Sequence, residues 1–276
     1  MNETMISRPA GANGVWMPVP PALVHKTHGE NAWLTEVRTY ASGEQHARYH
    51  TPPEGADARI SELIEVQRQA GLHYVHTQLG IPIGFVFLLE QISLRRKADA
   101  THGKLRASGG VVATFNRGTR RKGEACLGFT LHSGGTAAEG EARVRVVPSN
   151  AYERLRSRSD PSPMLVKTAP SRLQATQWNG VVAPDSSDPV LRDHSNDHLS
   201  GMAVIVAVEG ELRERGIDRV DSLSAEFHLY LEHTPQPTFT VVLSTDGTFR
   251  ALVEQNGRQC ATIAGTALPT VEPSNR

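Results

Sequence analysis

A single offset of 141 positions sets two stretches of this chain against each other, and it constrains the fold more than any other feature of the sequence. It places residues 24–35, Val-His-Lys-Thr-His-Gly-Glu-Asn-Ala-Trp-Leu-Thr, against residues 165–176, Leu-Val-Lys-Thr-Ala-Pro-Ser-Arg-Leu-Gln-Ala-Thr, so that Lys26 meets Lys167, Thr27 meets Thr168 and Thr35 meets Thr176. The same shift carries an apolar-periodic segment that begins near Ile60 onto another that begins near Gly201, with Leu63 on Val204 and Ile64 on Ile205. A chain of 276 residues has room for two such units, since domains commonly hold about 100–200 residues each.

Each half reads as strand, loop, long helix and then an antiparallel meander. Ile60, Leu63, Ile64, Gly71, Tyr74 and Val75 recur at the three- and four-residue spacing of a buried helix face, which predicts a helix over about 60–78, capped by Asp57. The second helix is expected over about 199–214, capped by Asn196 or Asp197. Its run from Met202 to Val208 is apolar nearly all round, which suits a deeply buried helix or a strand. Strand-like runs follow each helix, at 85–89, 110–115, 125–131 and 142–147, and again at 225–231, 238–243, 248–253 and 260–266. Asp246-Gly247 and Asn256-Gly257 are hairpin turn signals. One helix cannot cover both faces of such a sheet, but a curved sheet wrapped around a single helix buries both. The expected class is therefore α+β, a tandem or double hotdog: a first half with an N-terminal extension over 1–147, an Arg-, Ser- and Pro-rich linker over 148–163, and a second half over 164–276.

Composition narrows the partners. Lys plus Arg equals Asp plus Glu at 29 each, so no net positive field exists to hold nucleic acid or an anionic membrane. No basic start leads into an apolar run, and no stretch approaches the ~18 apolar residues that span a bilayer, so a cytoplasmic protein is expected. Cys126 and Cys260 are too few for a disulfide framework and lack zinc-site spacing; both are expected as reduced core thiols. The twelve histidines form no ligand pattern, so no metal is expected, and no cofactor either.

Several motifs, taken together and in order, resemble the A-factor biosynthesis hotdog family, the γ-butyrolactone autoregulator synthases. Leu23 to Thr35 resembles that family's first-strand signature. Glu65-Val-Gln-Arg68-Gln69 resembles its Glu-x-x-Arg-Gln helix motif, and Gly80-Ile-Pro-Ile-Gly84 the Gly-Val-Pro-x-Gly that follows. Asp197-His198-Leu-Ser-Gly201-Met202 resembles its Asp-His-x-x-Gly-Met helix entry. The resemblance implies an enzyme that transfers a β-ketoacyl group from an acyl carrier protein, or from an acyl-CoA thioester, to a small hydroxylated acceptor, which in the family is dihydroxyacetone phosphate. It implies Glu65, Arg68, Gln69, Asp197 and His198 as the catalytic set.

On a helix Glu65, Arg68 and Gln69 share one face, and His76 lies near the same ridge. A partly buried Glu65 suits a general base, and on that reading Glu65→Gln removes turnover and spares stability. Periodicity alone gives an Arg–Glu pair on a solvated ridge, and Asp197 as a cap with His198 packed on a neighbouring strand. The basic run Arg117 to Lys122 is a solvated loop or a dock for an acidic carrier protein. In the second half the family's Glu-x-x-Arg is replaced by Val206 and Glu209. That loss makes the second half a scaffold, and it gives weight to two alternatives: a hotdog dehydratase or thioesterase, and a non-catalytic ligand-binding homologue.

Overall fold

The computed structural model describes residues 14–52, 58–97, 107–116, 123–133, 136–157, 175–185, 187–193 and 197–268. Asp57, Asn196, Lys167, Thr168 and the basic run 117–122 lie outside them. The chain forms two compact units, one of Met1–Ala58, Glu62–Ile92 and Arg96–Pro161, the other of Arg59–Ser61, Ser93–Arg95 and Ser162–Arg276.

The first unit holds strands β1 (Met17–Pro18), β2 (Leu34–Thr39), β3 (Gln45–His50), β4 (Phe85–Arg96), β5 (Ser108–Phe115), β6 (Glu124–Ser133) and β7 (Thr136–Pro148), with helix α1 (Ile60–Thr77) between β3 and β4, except that the opening residues of α1, Ile60 and Ser61, and Ser93–Arg95 of β4 belong to the second. The strands lie in the order β1-β2-β3-β5-β6-β7-β4. The strand that follows the helix is therefore not the start of a simple meander, because β4 crosses to lie beyond β7. Alternation sets the register: Val111, Ala113, Leu127, Phe129 and Leu131 are buried, with Val111 opposite Leu131 and Ala113 opposite Phe129, as a sheet with one covered face requires. Helix α1 seats closely on this face, since a Cβ at Gly71 would stand 3.2 Å from Phe129 Cζ and 3.3 Å from Leu127 Cδ1.

The second unit repeats the plan with β8 (Ala175–Val181), α3 (Gly201–Glu214), β9 (Arg219–Phe227), β10 (Thr238–Ser244), β11 (Thr248–Gln255) and β12 (Arg258–Leu268), its strands ordered β9-β12-β11-β10-β8. Here too the strand after the helix is separated from the next in sequence, β9 lying beyond β12, and β10, β11 and β12 form a meander. A shift of 141 carries the start of β2 onto that of β8 and the start of α1 onto that of α3. Asn256 and Gly257 both have positive φ, 55° and 69°, the pair of left-handed residues that a tight two-residue hairpin needs. Met202 to Val208 is helical. Ser200 caps this helix, its hydroxyl accepting from Ala203 N at 3.2 Å, so the cap is not Asp197. Asp197 instead pairs with His198.

Within the span expected as a linker, Ser149–Ser157 forms a short helix, α2, with no buried residue. Among the described residues no helix is long and apolar enough to cross a membrane. Cys126 and Cys260 are free thiols, the first half-buried and the second buried.

Glu209 has a structural explanation. It is 4% exposed, and its carboxylate accepts from Ile60 N at 2.9 Å and Ser61 N at 3.4 Å. The first amides of any helix lack partners within it, and a carboxylate both satisfies them and opposes the helix dipole. Arg59 flanks this junction with two bonds to Asp188, at 3.0 and 3.2 Å. Glu209→Ala should therefore lower unfolding free energy by about 2 kcal/mol in urea titration, because it strips a charge-assisted bond from buried amides; Glu209→Gln, which keeps one acceptor oxygen, should cost about half as much.

Candidate active site

Helix α1 is unusual in what it buries. Its apolar positions Ile60, Leu63, Ile64, Val66, Ala70 and Val75 are buried, but so are Ser61, Glu62, Glu65, Gln67, Gln69, His73 and His76. Polar groups held away from water must find partners inside the fold. At Glu65 they do. Its side chain is 0% exposed, as is that of Lys26, whose Nζ lies 3.2 Å from Glu65 Oε1. Arg68, one turn on, closes a two-bond fork onto the same carboxylate, Nε to Oε2 at 2.7 Å and Nη2 to Oε1 at 2.9 Å, and Gln69 Nε2 donates to Oε1 at 2.9 Å.

Gln69 is a bracket. Its amide nitrogen also donates to Asn31 O at 3.1 Å, and its oxygen accepts from Trp33 N at 2.8 Å. One N–H and the oxygen of that amide thus hold the 31–33 loop against the helix, while the other N–H goes to Glu65. Arg68 is the member that reaches outward, with 18% of its side chain exposed, and its Nη1 takes no part in the fork on Glu65. The structure thus gathers Arg68 and Gln69 around the Glu65 carboxylate and adds Lys26, which in the sequence stands out only by its match with Lys167 and its place in the Leu23–Thr35 signature. The arrangement is a buried ion-pair network rather than a solvated ridge.

Farther along α1, His76 Nδ1 lies 2.6 Å from Ile81 O, and its Nε2 lies 2.9 Å from Nε2 of His25, the residue before Lys26. Phe87 packs on both rings with centroids 5.2 Å away. Burial pushes the His76 imidazole below its ordinary range, partly offset by the Ile81 carbonyl. One turn earlier, burial and then the charge of His76 push His73 down to about 4. In the second unit His198 Nδ1 and Asp197 Oδ1 stand 2.7 Å apart, and the His198 ring meets Tyr230 edge-on at 5.3 Å. Asp197 is half exposed and His198 largely covered. Val206 is a half-buried aliphatic position of α3.

The fold is that of the hotdog proteins. The 12:0-ACP thioesterase of Umbellularia californica superposes with a TM-score of 0.55 at 12% identity, over 82% of this chain and 98% of that one. An acyl-ACP thioesterase from Bacteroides thetaiotaomicron gives 0.53 at 10% identity, over 82% and 98%. No protein-family model matches the chain. Similar in sequence are proteins named 2-oxo-3-(phosphooxy)propyl 3-oxoalkanoate synthase. That of Streptomyces coelicolor is 27% identical over 221 residues, 69% of this chain and 70% of the relative; that of Streptomyces griseus is 27% identical over 226 residues, 69% and 73%. The resemblance carried by the Glu-x-x-Arg-Gln and Asp-His-x-x-Gly-Met motifs is borne out by these relatives.

Two outcomes follow from the geometry. Glu65→Gln should not spare stability, because it leaves Lys26 and Arg68 facing a neutral amide in the interior; a loss of about 3 kcal/mol in denaturant unfolding is expected. His73 has its folded value depressed from 6.5 to about 4, so between those limits the unfolded chain binds a proton that the folded chain refuses. Stability is complete above pH 6.5 and falls as pH drops through this window, by about 3 kcal/mol at its lower end. His73→Gln should flatten that part of the stability–pH curve.

Proposed function

We infer that this chain is an acyl-thioester-utilising enzyme that moves a β-ketoacyl group from a carrier protein or coenzyme A thioester onto a small hydroxylated acceptor. The product would be an ester of the γ-butyrolactone autoregulator or related secondary-metabolite type. The observation that carries this reading is the Glu65 network: a guanidinium clamped in a fixed orientation by a fully buried carboxylate, at the motif positions of a helix in a hotdog fold. The relatives named as synthases of a phosphooxypropyl oxoalkanoate support the acyl donor and the class of acceptor.

Acyl transfer from a thioester passes through a tetrahedral oxyanion, and a donor pre-aimed at that oxygen contributes most when it need not reorganise. Arg68 fits this part. Its Nε and Nη2 are held by Glu65, and Nη1, outside that fork, is the group proposed to meet the thioester carbonyl or an anionic group of the substrate. Gln69 fixes the loop that carries Lys26 and His25 beside the helix. Glu65 on this reading orients Arg68, and its own oxygens already accept four bonds. Asp197 and His198 form an oriented acid–imidazole pair, the kind that donates or accepts a proton.

The test is product analysis by mass spectrometry after incubation with a β-ketoacyl carrier-protein thioester, offered dihydroxyacetone phosphate, dihydroxyacetone or no acceptor. An ester of the acceptor is expected. Free acid in all three mixtures would make the chain a thioesterase, an enoyl product would indicate a dehydratase, and unchanged thioester a binding protein. Arg68→Lys should lower kcat/KM about a hundredfold, because an ammonium cannot hold the fork and reach outward together.

A further inference from the structure

Strand β4 does not bury what its neighbours bury. In β6 alternate residues are buried all along the strand, from Ala125 to Ser133, as a covered face requires. β4 opens with Phe85-Val-Phe-Leu-Leu89, and all five are only half-buried; the first buried residue of the strand is Ile92. The apolar run begins earlier still, at Ile83, which is 51% exposed. Large apolar side chains left partly open to water forgo some of their burial energy, and a contiguous group of them marks a surface that another apolar body covers.

Phe87 fixes which side is inward. Its ring lies edge-on to His76 of α1 and to His25, with centroids 5.2 Å away and planes at 70°, so it points at the helix. Alternation then puts Phe85 and Leu89 with it, and Val86 and Leu88 on the other side. Glu90 and Gln91 both bond arginines of one face of β7, Arg145 and Arg143, so the alternation skips a residue between them, and the inward series continues as the buried Ile92 and Leu94. On the adjoining β7, Val144 and Val146 lie on the inward side with Ala138 and Ala142 but are half-buried where those two are buried. The sheet thus turns an open apolar row toward the helix side: Phe85, Phe87 and Leu89, with Val144 and Val146 on the next strand.

The row is continuous with the Glu65 network. His76, on which Phe87 packs, lies near the ridge of α1 that carries Arg68, eight residues on and so about 12 Å along the axis. An extended aliphatic chain whose thioester carbonyl met Arg68 would bring roughly its ninth or tenth carbon to Phe87, and Phe85 to Leu89 gives it a wall about 13 Å long. We propose that Phe85, Phe87 and Leu89 receive the aliphatic tail of the acyl thioester and set which chain lengths the protein prefers. The proposal rests on the acyl-thioester reading above. Two imidazoles hold the Phe87 ring, which makes the row a preformed wall, and preformed apolar surface is what converts each added methylene into affinity. Val86 and Leu88, on the far side of the strand, take no part.

The experiment titrates the full chain with butyl, octyl, decyl and dodecyl thioethers of coenzyme A, which hold no thioester to cleave, and assays ester formation from β-ketoacyl thioesters in parallel. In the unmodified chain affinity should rise about threefold per methylene from octyl to dodecyl. In Phe85→Asn and Leu89→Asn that gradient should fall below about 1.5-fold per methylene, and in Val86→Asn it should stay as it is. An unchanged gradient in both inward variants, or an equal loss in Val86→Asn, overturns the proposal. So does light scattering that finds a dimer in the unmodified chain and a monomer in Leu89→Asn with the gradient unchanged, for then a second copy covers the row. Absence of a gradient in the unmodified chain overturns it too, and ester made by the same preparation leaves the acyl-transfer reading intact. A gradient that the inward variants lose, in a chain that makes no ester, upholds the tail site and overturns acyl transfer. Should the Asn variants not fold by circular dichroism, Leu89→Thr, which keeps a residue suited to strands, decides by the same gradient.

Discussion

Burying the polar side of one helix is the constraint on which the first unit depends. An ionised side chain moved out of water costs several kcal/mol even after relaxation, and α1 carries Glu65 to zero exposure. Lys26, Arg68 and Gln69 offset that cost only by converging on two oxygen atoms from a loop and from the helix itself. The 3₁₀ turn over Pro21–Val24, the left-handed His25 and the start of β2 are accordingly positioned by what Glu65 needs as much as by apolar packing. The close seat of Gly71 against Phe129 and Leu127 is the complementary requirement from the sheet side.

The two units solve the same burial problem with different chemistry. Helix α3 covers its sheet with Met202, Ala203, Val204, Ile205, Val208 and Leu212, which pack without hydrogen-bonding demands. Its one buried acid, Glu209, meets the opening amides of α1. A carboxylate at that position has taken up helix capping. The polar work of the duplicated fold is concentrated in the first helix and in the Asp197–His198 entry to the second.

Much of this was legible from residues alone. The 141-residue shift, the two helices and the strand runs depend on periodicity and turn chemistry, which are local, and Asn256-Gly257 marks its hairpin because only left-handed residues make that turn. The strand order was not legible, because nothing local to β4 or β9 tells that it crosses past the strands that follow it in sequence. The cap of α3 went to Ser200 rather than Asp197 because a neighbouring histidine competed for the carboxylate. For the site, helical spacing brought Glu65, Arg68 and Gln69 to one face. It could not reveal that the face is buried, nor that Lys26 and His25 reach it from a loop more than thirty residues away; that pairing is a property of the tertiary fold, and the only sequence trace of it is the Val-His-Lys run before the strand.

The bracket made by Gln69 has a bearing on how the chain threads. Strand side chains alternate, so sliding β2 by a single residue would turn its inward set outward, and β2 already carries an irregularity in its pairing between Leu34 and Glu36. Gln69 reads the backbone at two points just ahead of that irregularity, Asn31 O and Trp33 N. A slipped strand would present neither group at the right spacing and would strand a buried amide without partners. Gln69 therefore acts as a register gauge: the alignment that satisfies it is the one that delivers Lys26 to Glu65, so a chain threaded wrongly is also a chain whose charges are unmatched.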